Sequence, residues 1–560
     1  MKRLRWQILV VLLTLVLVGI LLLSQKPDAT IIGAQPAAGG VYTEALVGAM
    51  GRLNPLLDWN NAPDRDVDRL IYSSLMHFDS RGMPEPDLAE SWGMTEDGTI
   101  YNFSIRGNAV WHDGQPVTTD DVIFTIELMK SPASFYPQDV KELWSKVEVV
   151  RLNDKTMQIK LPEPYAPFLD YTAFGVLPKH LLSSIPMDQV LNAEFNLKPV
   201  GSGPFKFDHL LVEGGQITGV VLTAFDQYYR QRPYIDQVIF KYYPTAAAGL
   251  EAYRAGEVAG VSQITADILS SALAENELSI YTSRMPQMGM VVFNLNNPEV
   301  PFLQEPEIRK ALMLGLNRQR LIDAFLQGQA IPADGPILPG SWAHYDGVEH
   351  IPYDDAAAIV LLKELGYTLP ADGSNVRANE NQSLAFTLVH PNDPTHTQMA
   401  QSIQQNWAAI GVKVDLIPAS YESLQNEYLG PRRFQAALVE LAFARTPDPD
   451  PYPFWHQAEA VGGQNYSQWD NRTASEYLEQ ARVTTDFGLR ARLYRNFQVI
   501  FSRELPALPL YVPVYSYAVA ANVQGVQTPP LFDPSDRFSL IEQWYLVTRR
   551  GLEQTPTPAP

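Results

Sequence analysis

The chain has 560 residues, 46% apolar and 19% charged; it is too long for one core and fits a soluble globular protein of roughly two to four domains. Its formal net charge of −20 argues against a nucleic-acid partner, which needs clustered Lys and Arg; an acidic surface is also a common route to solubility. It has no cysteine, so disulfides, thiolate metal sites, cysteine nucleophiles and a lipidated cysteine are all excluded.

In chain order, Met1 to Arg5 is basic, and Ile8 to Leu23 is apolar apart from Thr14 and Gly19. A basic stretch followed by an apolar one is an export signal. The apolar run has 16 residues, somewhat short of the roughly 20 that span a bilayer comfortably. No small-x-small cleavage site follows directly. The preferred reading is an uncleaved anchor over residues 8–23, with a cleaved signal peptide as the alternative. Lys2, Arg3 and Arg5 put the N-terminus inside and the remainder outside. Residues 25–40 read as a flexible tether and 551–560 as a disordered tail.

Beyond the tether, strands and helices mix without a simple repeat. Thr119-Asp-Asp121 caps a helix running to about Lys130. Ile308, Leu312, Gly315 and Leu316 share one helical face, which continues past Leu321 and Ile322 towards Gly328. Asp354 and Asp355 open a helix with Ile359, Leu362 and Leu365 on one face and Gly366 as its stop. Met399, Ile403, Trp407 and Ile410 repeat at helical spacing up to Gly411, and Val412, Val414 and Leu416 alternate as a strand. Leu493, Phe497 and Ile500 mark another helix. Leu508 to Val514 reads as a buried strand or crossover. These stripes read as core, Met399 and Trp407 included. The helix–Gly–strand unit is typical of α/β layering.

Testable enzyme motifs are missing: there is no H-E-x-x-H, G-x-S-x-G, Walker A loop or G-x-G-x-x-G. His390 and His396 lie in a Pro-broken stretch without an evident third ligand, which favours solvated loop residues over a metal pair. Trp111-His-Asp-Gly114 reads as a tight turn with Gly114 at positive φ, with His112–Asp113 as an acid/base pair the weaker alternative. The most unusual segment is Arg445-Thr-Pro-Asp-Pro-Asp-Pro-Tyr-Pro453. Its four prolines force an extended, preorganised path. If strand-like, Asp448 and Asp450 project to one side, roughly 6.5–7 Å apart. That is near the spacing of inverting glycosidases, but neighbours on one rigid strand cannot easily flank a scissile bond. A rigid rim of Arg445, Asp448, Asp450, Tyr452 and Trp455 suits ligand binding better. The plain alternative is that the carboxylates cap turns.

From about Tyr42 to Leu546 the chain resembles the family 5 extracellular solute-binding proteins, the peptide-, oligopeptide- and nickel-type components of ABC importers. The resemblance rests on Pro86-Asp-Leu-Ala-Glu-Ser-Trp92, Asp97 to Arg106, Val110-Trp-His-Asp-Gly114 and Thr119-Asp-Asp-Val122; on Val200-Gly-Ser-Gly-Pro-Phe205; on Phe293-Asn-Leu-Asn296, Ile308 to Leu312 and Asn317-Arg318; and on Thr446-Pro-Asp-Pro-Asp450, Asn465-Tyr-Ser467 and Pro506 to Tyr511.

It implies a two-lobed α/β, periplasmic-binding-protein-like fold of the cluster C type, with an inserted domain. Residues 41–72, 198–283 and 513–550 would form domain I, 73–197 domain II and 284–512 domain III, with residues 1–24 as anchor or signal. A ligand would sit between lobes that close on a hinge. Candidate ligand contacts are Arg445, Asp448, Asp450, Phe443, Tyr452, Trp455, Asn465 and Asn54, with no cofactor and no metal. In similar peptide binders an Asp before the Asp-Pro-Asp segment holds the peptide's α-ammonium; here that place falls to Arg445. A guanidinium suits a carboxylate, a phosphate or a sugar hydroxyl instead. The resemblance also implies a monomer outside the cytoplasmic membrane, with permease subunits and cytoplasmic ATPases as partners. A ligand sensor on the same fold and, last, a hydrolase using Asp448 and Asp450 are the alternatives.

Overall fold

The computed structural model describes residues 36–132, 134–443, 447–528 and 531–547. The anchor expected over residues 8–23, most of the tether, the tail and Arg445 lie outside the described residues. Among the described residues, no helix is long and apolar enough to cross a membrane.

The backbone of the molecule is a twelve-stranded mixed sheet. Its strands are β1 (Val41–Val47), β6 (Phe205–Glu213), β7 (Gln216–Ala224), β8 (Gln237–Tyr243), β9 (Gly260–Val261), β10 (Leu278–Arg284), β11 (Gln287–Phe293), β12 (Ala330–Pro332), β13 (Ala385–Pro391), β14 (Lys413–Ala419), β15 (Ala436–Ala442) and β16 (Ala507–Ala520). The intervening numbers belong to a separate four-stranded antiparallel sheet: β2 (Ala89–Met94), β3 (Ile100–Ile105), β4 (Glu148–Arg151) and β5 (Thr156–Lys160).

The large sheet falls into two halves joined by β16. Residues 507–513 of β16 pair with β11 and β12, and residues 514–520 with β9 and β10. A second crossing runs from Arg284 at the end of β10 to Gln287 at the start of β11, with the Met285 amide donating to the Pro513 carbonyl at 2.8 Å. Both crossings carry a proline, Pro286 and Pro513, which donates no ladder hydrogen bond. The fold is therefore two-lobed α/β, with the four-stranded sheet as an added body.

Burial follows the strand period. On β11, Met288, Met290 and Val292 enter one core, while Val291 and Phe293 enter another on the opposite face of the sheet. A third core joins the first half of the sheet to the four-stranded body through Tyr42, Leu70, Ile71, Trp111 and Trp144.

Helices begin where side-chain oxygens cap them. Asn61 accepts from Asp64 N at the start of α1 (Ala62–Ile71). Thr118 and Asp121 form a capping box for α2 (Thr119–Met129). The helix expected from Ile308 towards Gly328 is two helices, α3 (Pro306–Leu314) and α4 (Arg318–Phe325). Asn317 breaks the run: its side chain caps Arg320 N, and its own amide is taken by the Asn406 side chain. Asp354 caps α5 (Asp355–Glu364), and Gly366 closes it at φ +88°.

His396 is not a loop residue. Asp393 caps α6 (Pro394–Ala409), so Pro394 starts the helix, His396 sits in its first turn, and Met399 and Trp407 are buried beyond it. His396 Nδ1 lies 2.7 Å from Asp393 Oδ2, and His390 Nδ1 is 2.8 Å from the Pro391 carbonyl. No group of three or more metal-ligating side chains is placed to hold an ion among the described residues.

The Trp111–Gly114 turn forms as expected, with Gly114 at φ +88°. The alternative pairing of His112 with Asp113 does not: Asp113 bonds His180 at 2.7 Å. His112 instead locks two sequence blocks together. Its Nδ1 accepts from the Gly201 amide, and its Nε2 reaches the Gly203 carbonyl, each at 3.1 Å.

Candidate ligand-capture site

A cavity of about 470 Å³ opens between the halves. One wall is α1, which presents Arg65, Asp68 and Arg69, together with the turn before it carrying Asp58 and Trp59. The four-stranded body adds Tyr136, Asp139, Asp170 and Tyr171; the C-terminal segment adds Phe532, Asp533 and Asp536; the opposite half contributes Pro447 and Gln464. A smaller hollow of about 40 Å³ lies beside the crossing, bordered by Arg284, Phe443, Pro447 and Phe532. The cavity's size and aromatic content fit a small-molecule or peptide site.

Seven of the eight expected contact residues are described, and none of the seven lines the larger cavity. Asp448 is buried, and both its oxygens are held by Arg490 of α8 (Phe487–Glu504), at 2.6 and 2.9 Å. Its backbone amide donates to Asp170 Oδ2 at 2.7 Å, linking the segment after β15 to the added body across the cleft. Asp450 Oδ2 takes Arg482 Nε of α7 (Arg472–Val483) at 2.8 Å. The Tyr452 ring stacks on His456 at 4.0 Å, and the Arg482 guanidinium stands 3.6 Å from the Tyr452 ring centre.

The remaining four are packing or bracing residues. Trp455 is buried edge-on to Phe501. Asn465 donates to the His456 and Trp469 carbonyls and accepts from Ser467 and the Trp469 amide, so its side chain is fully used inside the fold. Asn54 is likewise buried between Asn196 and the Leu56 amide. Phe443 packs edge-on to Phe454 and borders only the smaller hollow. Of the described part of this segment, Pro447 reaches the cavity, and the carboxylates of Asp448 and Asp450 serve as internal anchors for two arginines.

The electrostatics reflect burial. Asp170 is pushed well above the usual carboxylate range by burial, and then by the neighbouring charge of Asp448. Asp450 is also raised by burial, against the pull of Arg482. Arg65 and Arg69 are both paired at the wall, with Asp533 and Asp536, each at 3.0 Å. Sequence reasoning missed this wall. Its signal was α1 itself, a short helix with five charged residues of which Asp64, Asp66 and Asp68 are buried.

A family model described as bacterial extracellular solute-binding proteins, family 5 middle, matches residues 83–464. The oligopeptide-binding protein AppA of Bacillus subtilis is 26% identical over 537 residues, covering 94% of this chain and 95% of that protein. The dipeptide-binding protein of Escherichia coli is 28% identical, covering 89% and 95%. Heme-binding protein A of Haemophilus influenzae is 25% identical, covering 83% and 85%. Among solved structures, AppA of Bacillus subtilis in complex with a nonapeptide superposes with a TM-score of 0.66 at 25% identity, covering 92% of this chain and 100% of that one. HbpA2 of Haemophilus parasuis superposes with a TM-score of 0.79 at 23% identity, covering 91% and 100%. The chain belongs to the family 5 bacterial extracellular solute-binding proteins, the solute-capturing components of ABC importers.

Proposed function

We propose that the chain captures a peptide or another small polar solute in the 470 Å³ cavity and delivers it to a permease pair driven by cytoplasmic ATPases. The observation that carries this is a cavity lined by α1, the added body and the C-terminal segment and reached from the other half by Pro447 and Gln464, beside a two-segment, proline-bearing crossing on which the halves can hinge. The oligopeptide- and dipeptide-binding names of its relatives favour a peptide ligand. In this reading residues 41–72, 198–283 and 513–550 form domain I, 73–197 domain II and 284–512 domain III. Residues 8–23 hold a monomer to the outer face of the cytoplasmic membrane. No turnover is expected, because Asp448 and Asp450 are held in ion pairs by Arg490 and Arg482. Native mass spectrometry of the full-length protein, released from mild detergent, tests capture directly: a stoichiometric co-purified solute supports it. Repeated purification with no bound mass, and no thermal shift with any solute class, counts against it.

Arg445 takes the place where similar peptide binders carry an Asp, and we assign it an anionic group of the ligand. Arg445→Ala should weaken binding of the co-purified ligand about tenfold, the scale of one charge-assisted hydrogen bond. Undiminished affinity in calorimetry would remove Arg445 from the site.

A further inference from the structure

We infer that the smaller hollow at the crossing is an anion pocket, in which the guanidinium of Arg284 takes a carboxylate of the captured solute. This rests on the chain being a solute-capturing protein. Arg284 is the last residue of β10, where the crossing begins, and it borders the hollow of about 40 Å³. Among the described residues that line the hollow it is the one charged side chain; its neighbours there include Met285, Ile337, Pro447, Leu531 and Phe532. No Asp or Glu of the described residues pairs with it, and its Nη1 donates to the Pro339 carbonyl. Residues 444–446 and 529–530, which adjoin the lining in sequence, include no Asp or Glu either. Burial, unopposed by a neighbouring carboxylate, holds Arg284 below the usual guanidinium range. A guanidinium has five N–H donors, so one bond to a carbonyl leaves most of the fork for a ligand. A half-buried charge without a counter-charge is costly, and a solute carboxylate removes that cost.

The surroundings fix how the guanidinium is presented. Gly340 stands against it at φ +81°, and a Cβ there would run into its nitrogens; only glycine lets the backbone come this close. The hollow has room for about three waters, hence for a head group and not for a whole solute. Pro447 and Phe532 border both the hollow and the 470 Å³ cavity. The two spaces therefore adjoin, and a solute lying in the cavity reaches Arg284 with one end. One guanidinium balances one negative charge. A doubly charged phosphate would keep a net charge among apolar walls, so a planar monoanionic carboxylate is the better match to a single fork. Leu531 belongs to the core of the first half and Ile337 to that of the second, so the occupant of the hollow lies between the halves, at the joint itself.

The test follows the Arg284 Nε–Hε signal by NMR in the full-length protein carrying isotope-labelled arginine, the signal being identified by its loss in Arg284→Gln. Sodium propionate should shift it saturably in the millimolar range, while propionamide and sodium chloride at the same concentrations leave it in place. Inorganic phosphate should bind about tenfold more weakly than propionate. The co-purified solute should carry a carboxylate, block the propionate shift and bind Arg284→Gln about tenfold more weakly than wild type. Gln keeps a donor for the Pro339 carbonyl, so that variant should fold, and equal thermal midpoints check it. An Arg284 signal that propionate does not move, or that propionamide or chloride moves as far, overturns the inference. Phosphate binding as tightly as propionate overturns the choice of a carboxylate, and a co-purified solute that leaves the propionate shift intact removes the hollow from the capture site. A propionate shift in a protein with no co-purified solute supports the anion pocket and counts against solute capture alone.

Discussion

Arg490 is 1% exposed and makes a forked pair with Asp448, a further bond to the Tyr494 hydroxyl at 3.0 Å and one to the Ala481 carbonyl at 2.9 Å. Such a pair contributes little beyond a well-packed apolar substitute, but half of it is costly. Arg490→Met should leave the Asp448 carboxylate buried alone and destabilise the fold by about 3–5 kcal/mol. Adding Asp448→Asn should recover part of that loss, and chemical denaturation of both variants checks it. Equal midpoints for wild type and Arg490→Met would mean that the pair is not formed in solution.

His112 gives a pH-dependent counterpart. Burial lowers it to about 4, against the opposing bond to the Gly203 carbonyl. Above its ordinary value near 6.5 both folded and unfolded chains hold it neutral, and its contribution is fully present. As pH falls from about 6.5 to 4 the unfolded chain takes up the proton first, so up to about 3 kcal/mol of stability is lost. Unfolding midpoints across that window should fall more steeply in the wild type than in His112→Asn. Parallel pH profiles would show that His112 protonates as freely when folded.

Among elements, the contact between the end of α1 and the Gly201–Gly203 turn holds the first half of the sheet together. The Gly203 amide donates to the Ile71 carbonyl at 2.8 Å. A Cβ at Gly201 would run into that same carbonyl oxygen. Gly201→Ala should therefore cost about 3 kcal/mol, the upper end of overpacking, because backbone has to move. Gly107→Ala, with nothing within 4 Å of the added carbon, is the matched control and should be near neutral in thermal unfolding. Much at this scale was legible in the sequence. The stripes at Met399–Ile410 and Leu493–Ile500 are buried helix faces, and the apolar run from Leu508 became β16, the strand that joins the halves. Local signals failed where two readings competed for the same residues: Asp393-Pro394 is a helix start that resembles a loop, and Gly315–Asn317 is a helix break inside a continuous apolar stripe. The candidate site was less legible for a different reason. Asp448 and Asp450 looked available because their arginines lie 42 and 32 residues away, and no local pattern reveals such a partner. The cavity wall is assembled from residues near 58, 136, 170 and 536, which only the fold brings together.

At the scale of the whole molecule, the question is whether capture moves the halves. Contacts across the cleft include the Asp448 amide on Asp170, Arg482 against the Tyr165 ring at 5.7 Å, the Trp342 amide on the Arg81 carbonyl at 2.9 Å, and Met83 packed against the core of the second half. The polar ones are each replaceable by water at modest cost, and Met83 sits at the margin of a core whose other members belong to the second half. At the crossing, by contrast, β16 runs unbroken and Pro286 and Pro513 mark places where no amide is lost on bending. Motion should therefore concentrate at Arg284–Gln287 and Val512–Val514, with each half moving as a unit. The absence of native cysteine makes this measurable. Leu152 on the added body and Val461 on the other half are 53% and 86% exposed, so spin labels on cysteines introduced there should leave the fold intact. Pulsed dipolar spectroscopy should give a broad distance distribution without solute and a narrower, shifted one at saturation, since the solute supplies contacts that only the closed arrangement makes. An unchanged distribution at saturating solute would mean that the cavity is a rigid, preformed site, and that the proline-bearing crossing serves as a structural joint, not a hinge.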